Sequence, residues 1–216
     1  MHPSPSKAEV VVSRPNPAAP SEPSVPQARL RLLGISGSLR EESLNTALLR
    51  AAQDLAPEDV EVVIHPLHGV PLYDGDVEDR GFPDAVVALR DAMASADGLL
   101  VAAPEYNHSI SGVLKNAIDW ASRRPDPPLD HKPTALLSAA GGSGGQNAQR
   151  HLRDVLAHNQ VQVIDDVVQL RRAWDHVDEG RLQTPEHRQA VADLLIALRE
   201  HVLWARDAAV DASSVA

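Results

Sequence analysis

Five short apolar runs, each leading toward apolar residues at helical spacing, constrain this chain more than any other feature. The runs lie at 30–35, 60–64, 99–103, 133–140 and 161–164. A short apolar run bounded by turn residues reads as a strand buried on both faces. After the first run, Leu44, Leu48, Ala51 and Leu55 mark one helix face. Val86, Val87, Leu89, Ala92 and Met93 mark another within 84–96, with Gly98 as its terminator. Val113, Leu114, Ala117, Ile118 and Ala121 mark a third, and Leu152, Val155 and Leu156 a fourth within 148–157. The last helix opens at Thr184-Pro185-Glu186 and buries Val191, Leu194, Leu195, Leu198 and Val202. Such alternation predicts one α/β domain, a parallel sheet with helices on both faces. In sheets of that kind ligands sit at the loops that follow the strands.

Three of those loops are chemically equipped. The first reads Ser36-Gly37-Ser38-Leu39-Arg40-Glu41-Glu42-Ser43-Leu44-Asn45. Free backbone N–H groups at a helix N-terminus attract anions, and hydroxyls with an Arg suit a phosphate. The loop is neither a Gly-x-Gly-x-x-Gly turn nor a P-loop. Taken alone, a Ser-rich turn capping a helix explains it equally well. The loop after the third run is Pro104-Glu105-Tyr106-Asn107-His108-Ser109, and Ser109 or Ser111 can cap the helix behind it. Pro104 ends the strand because proline cannot donate to a ladder. Asn107 offers donors and acceptors, Tyr106 a ring face and Glu105 acceptors, which suits a flat ligand with a polar edge. The fourth run ends in Gly141-Gly142-Ser143-Gly144-Gly145, where backbone can approach a ligand closely.

Composition removes whole classes of function. Thirty acidic residues against 20 basic ones give a net charge of −10, which argues against nucleic acid or an anionic membrane as partner. The absence of cysteine excludes disulfides, thiolate metal sites and thiol nucleophiles, and fits the cytoplasm. No apolar run approaches the roughly 20 residues of a membrane span. The aromatics are three Trp, two Tyr and one Phe, so a flat cofactor is expected to rest on backbone, polar groups and aliphatics. Asp74, Asp76 and Glu78 begin like a calcium loop, but Asp79 and Ala85 stand where Gly and Glu are required, so no metal is assigned. No Ser/His/Asp set or carboxylate pair stands out, which leaves the chemistry to a cofactor. Residues 1–27 hold seven of the 17 prolines and read as a disordered tail. The domain then spans 28–206, with a short tail at 207–216. Residues 165–180 read as irregular, with Trp174 at an interface. Arg123-Arg124 read either as a site for a pyridine dinucleotide phosphate or as a solvated basic turn.

Pro104-Glu105-Tyr106-Asn107, then Ser109, Gly112 and Leu114-Lys115-Asn116-Ala117-Ile118-Asp119-Trp120, resembles the signature of the NADPH-dependent FMN reductase family. The spacing of Gly37, Ser38, Arg40, Ser43 and Asn45 is similar to that family's FMN phosphate loop. The resemblance covers residues 30–200 or so. It implies a flavodoxin-like, doubly wound five-stranded parallel sheet of order 2-1-3-4-5, with FMN at the switch between strands one and three. It implies an oxidoreductase that passes a hydride from NADPH or NADH through FMN to a small acceptor: a quinone, a flavin, an azo compound or chromate. Ser38, Arg40, Ser43 and Asn45 would hold the phosphate, and Ser36 would also bind the cofactor. Pro104, Glu105, Tyr106 and Asn107 would position the isoalloxazine, supported by Ser109. Ser138, Ala139 and Gly141 would touch the ring, and Leu72-Tyr73-Asp74 would frame the entrance. The helix behind the loop would sit in the interface of a homodimer or homotetramer. Two alternatives stay open: a flavodoxin-type FMN electron carrier with protein partners, and an FMN-free module on the same fold.

Overall fold

The computed structural model describes residues 29–214, with side chains through 211. The tail assigned to 1–27 lies outside the described residues. Five parallel strands form the sheet: β1 (Leu30–Ser36), β2 (Val60–His65), β3 (Gly98–Ala102), β6 (Pro133–Ala139) and β7 (Gln162–Leu170). Their spatial order is β2-β1-β3-β6-β7, so β1 and β3 are neighbours although β2 lies between them in the chain. Counting sheet strands alone, this is the expected 2-1-3-4-5, and it opens a crevice at the top of β1 and β3.

Side chains alternate strictly across the sheet. Leu30, Leu32, Leu100, Ala102, Ala135 and Leu137 pack on one face against α1 (Leu44–Leu55) and α6 (Pro185–Ser214). Leu33, Ile35, Leu99, Val101 and Leu136 pack on the other against α3 (Asp84–Ala94), α4 (Gly112–Ala121) and α5 (Gln146–His158). Both faces are apolar, which is why the strands read as unbroken runs rather than alternating ones.

Five elements differ from the sequence reading. The segment after β2 contains a one-turn helix, α2 (Gly75–Glu78), whose N-cap Asp74 accepts from Asp76 N–H (2.9 Å). Gly98 does not terminate α3, which closes at Ser95; it opens β3 instead. A Cβ there would lie 3.0 Å from Val202 Cγ2 and 3.1 Å from Pro133 O, so the glycine admits α6 to the sheet. The loop after β3 is a hairpin of β4 (Glu105–Tyr106) and β5 (Ser109–Ile110). Its two turn residues, Asn107 (φ 51°) and His108 (φ 60°), are left-handed, as a tight hairpin turn requires. Strand β7 runs on to Leu170: Val163 faces Thr134 but Val167 faces Leu136, a bulge that carries Asp165 and Asp166 on an exposed edge. Beyond it lie a 3-10 turn (Ala173–Asp175) and the small hairpin of β8 (Val177–Asp178) and β9 (Arg181–Leu182). Finally, α6 continues to Ser214, so residues 207–214 are helix rather than tail.

Candidate functional site

The crevice is built first by the link from β1 to α1. Gly37 N–H donates to Ala102 O (2.9 Å), extending the β1–β3 pairing into the loop. Gly37 O accepts from Ser111 Oγ (2.6 Å), the N-cap of α4, whose hydroxyl also caps Leu114 N–H. A Cβ on residue 37 would fall 2.8 Å from Pro104 Cδ and 3.1 Å from Leu114 Cβ. Only glycine lets the two loops close on each other, and nothing in the bare sequence marked Ser111 as their tie. Ser43 caps α1, accepting from Thr46 N–H (3.2 Å), and keeps its own hydroxyl proton. The first turn of α1 carries no acid, so no carboxylate within the helix competes for its N-terminal N–H groups. Ser38 and Arg40 line the crevice, and among the described residues the Arg40 guanidinium has no hydrogen-bond or ion-pair partner. Glu41 and Glu42 are exposed and off its wall.

The hairpin and the glycine loop make the other walls. The Glu105 carboxylate accepts from Asn147 N–H (3.0 Å) and Asn147 Nδ2 (3.1 Å), at the N-terminus of α5. Burial alone would raise its pKa, but hydrogen bonds from Asn147, Ser143 and the Asn147 and Ala148 backbone outweigh it and hold the carboxyl below its ordinary range. Gly145 adopts φ 89°, and a Cβ there would lie 2.4 Å from Ser138 Cβ. Ser138 Oγ donates to Gly144 O (2.5 Å) and accepts from the buried Gln149, which fixes the glycine loop.

Of the thirteen residues named from the sequence, nine line this cleft of about 250 Å³: Ser38, Arg40, Ser43, Asn45, Pro104, Glu105, Tyr106, Ala139 and Gly141. Four do not. Ser36 is buried and takes the Thr46 hydroxyl (2.9 Å). Ser138 is buried under the glycine loop. Asn107 sits at the hairpin tip, exposed. Ser109 turns to His151 Nδ1 (3.0 Å). Two of the nine are also engaged with protein: Glu105 as above, and Asn45, whose amide exchanges two hydrogen bonds with the Ala139 backbone (2.9 and 3.0 Å). Leu44, Ala140 and Trp174 complete the lining. Trp174, assigned to an interface from the sequence, lines the cleft. With the expected Tyr106 it puts a second aromatic side chain on a site expected to rest mainly on backbone, polar groups and aliphatics. The arrangement offers donors for an anion at the head of α1 and apolar and aromatic walls for a flat group.

A second region contrasts with it. Arg123 and Arg124 line a separate groove of about 610 Å³ along α4 and α5, together with Lys115, Asp119, Asp154 and His158. Arg123 donates to Asp119 O (2.9 Å) and lies 5.0 Å over the Tyr73 ring, while Arg124 faces Asp130. Leu72, Tyr73 and Asp74 are not among the residues that line the cleft. Asn116 accepts from Tyr73 N–H (2.7 Å), and Pro71 O accepts from Asn116 and Trp120, so the segment is stapled onto α4.

Comparison with known proteins agrees with this fold. The family model of NADPH-dependent FMN reductase matches residues 30–175. An NAD(P)H-dependent FMN reductase of Pseudomonas aeruginosa is 43% identical over 180 residues, 82% of this chain and 96% of that one. A quinone reductase of Escherichia coli K12 is 42% identical over 166 residues, 71% of this chain and 88% of that one. Among solved structures, the flavoenzyme NAD(P)H:(acceptor) oxidoreductase FerB of Paracoccus denitrificans superposes with a TM-score of 0.68 at 28% identity, covering 82% of this chain and 98% of that one.

Proposed function

The chain belongs to the NADPH-dependent FMN reductase family, and on that premise we propose which of its residues hold the cofactor and what it reduces. It is an NAD(P)H-dependent, FMN-binding oxidoreductase, not a flavodoxin-type carrier. When bound, FMN supplies a ring that takes a hydride from NAD(P)H and passes electrons to an acceptor. The chain's own residues bind and orient it. Ser38, Arg40 and Ser43 hold the phosphate at the head of α1, and the observation that carries this reading is the unpartnered Arg40 guanidinium beside that helix end. Asn45 pins β6 to α1 and so fixes the distance between phosphate loop and ring wall. Pro104, Tyr106, Ala139 and Gly141 form the walls for the ring. Glu105, held ionised, locks the hairpin to α5 rather than exchanging protons with substrate.

The acceptor is a small molecule, with a quinone favoured by the named activities of the E. coli and other relatives. The working form is a homodimer or homotetramer, a reading supported by the α4 signature and the long groove beside it. The setting is cytoplasmic, supported by the lack of cysteine; among the described residues no helix is long and apolar enough to cross a membrane. An absorbance spectrum of the FMN-loaded protein, before and after anaerobic NADPH or NADH, tests the function. Flavin bands that bleach with a nicotinamide and return with a benzoquinone support it. Bands that bleach and do not return with a quinone would move the acceptor to another class.

A further inference from the structure

Trp174 is 59% exposed, yet the backbone just before it is anchored. Ala173 is fully buried, and its N–H donates to Ala140 O (3.2 Å). Arg172 N–H donates to Gly141 O (2.9 Å), and its guanidinium bonds Asp175 (2.7 Å) across the same turn. The indole edge comes within 3.5 Å of where a Cβ on Gly141 would stand, so the ring lies against the glycine loop. Large aromatic side chains gain free energy mainly by burial and by contact with other flat groups. This one is carried on a fixed turn, in a concave wall, with more than half of its surface uncovered. Tyr106, 49% exposed, lines the same cleft from the hairpin. Tyr73, Phe82 and Trp120, by contrast, pack on one another through edge-to-face contacts.

Resting on the flavin reading above, we propose that Trp174 is a positioning residue for FMN: its indole is the wall against which the bound cofactor lies, and it sets how firmly FMN is retained. Arg40 and the serines then grip the phosphate while Trp174 covers the organic part. The two grips act on different portions of one ligand and are separable by mutation.

The test is FMN titration of the full chain, stripped of flavin, as wild type, Trp174→Ala and Trp174→Phe. The readouts are Kd and the emission of bound FMN at saturation. An indole in contact with a flavin quenches its emission by electron donation, an effect confined to contact range. Trp174→Ala is expected to raise Kd roughly three- to tenfold and to brighten bound FMN. Trp174→Phe is expected to keep Kd near wild type while emission still rises, because a phenyl ring stacks but donates poorly. If the Ala variant fails to fold, the emission of the Phe variant decides the question. Unchanged emission in both variants overturns the proposal, and so does a raised Kd without brightening, since the indole would then act through the loop. Failure of the wild type to bind FMN would instead contradict the flavin reading itself.

Discussion

Arg90 gives its guanidinium to the carbonyls of Trp120, Ala121, Arg123, Pro125 and Asp126 and lies 4.6 Å over the Phe82 ring. Arg40 gives its guanidinium to no group among the described residues. The same contrast separates the aromatics and amides around them. Trp120 Nε1 and Asn116 both donate to Pro71 O, and Tyr73 OH donates to Glu78. Tyr106 and Trp174 stand uncovered in a concave wall. One region closes its polar groups on itself and serves the fold. The other leaves an exposed guanidinium and ring faces on the wall of a cleft, open to a ligand. Residue type does not distinguish the two regions; the partners do.

The comparison breaks most visibly at Arg90. Arg90→Met keeps the stem but leaves five carbonyls without their donor, and is expected to lower stability by about 3–5 kcal/mol, read as a drop in the urea midpoint. The folded fraction should hold FMN within about twofold of wild type, because none of Arg90's hydrogen-bond partners lines the cleft. Gly37→Ala tests the hinge between fold and site. Its Cβ would press on Pro104 and Ser111, costing about 2 kcal/mol and raising the FMN Kd as the two loops part. Arg40→Ala sharpens the contrast from the other side. FMN affinity should fall roughly tenfold while the urea midpoint stays unmoved.

The smallest effect is at Glu105, which belongs to the self-closed class although it lines the cleft. Its folded pKa lies below that of an unfolded Glu, about 4.3. Its ionised form therefore stabilises the fold above that value, and the contribution is lost as pH falls through the lower folded pKa. Glu105→Gln should lower the urea midpoint at neutral pH, and the gap from wild type should close on acidification. A gap that persists in acid would show that the carboxylate's charge is not what holds the hairpin to α5.

These partners also explain what was legible in the sequence. The five strands were readable because burial on both faces leaves unbroken apolar runs, and the chemically rich loops follow three of them; their order came through the family resemblance. The hairpin at 105–110 was not, since two-residue strands are too short to show alternation and Asn107-His108 lacks the glycine that usually marks such a turn. The far half of β7 was hidden by a bulge bearing two aspartates. Gly98 was misread because glycine after a helix and glycine admitting a close neighbour look alike in one dimension. Ser36, Ser138 and Asn45 carry groups that serve ligand and backbone equally well, and only the positions of Thr46, Gly144 and Ala139 reveal where they are spent. Trp174 was legible only as a residue for an interface, because the 3-10 turn that brings it to the cleft lies beyond the bulged strand.

The most direct measurement is a crystal structure of the protein with FMN. The account predicts the phosphate within hydrogen-bonding distance of Ser38, Arg40 and Ser43 at the head of α1, with the ring between the Pro104–Tyr106 and Ala139–Gly141 walls. A phosphate bound elsewhere, for instance beside Arg123 and Lys115 in the groove along α4, would contradict it.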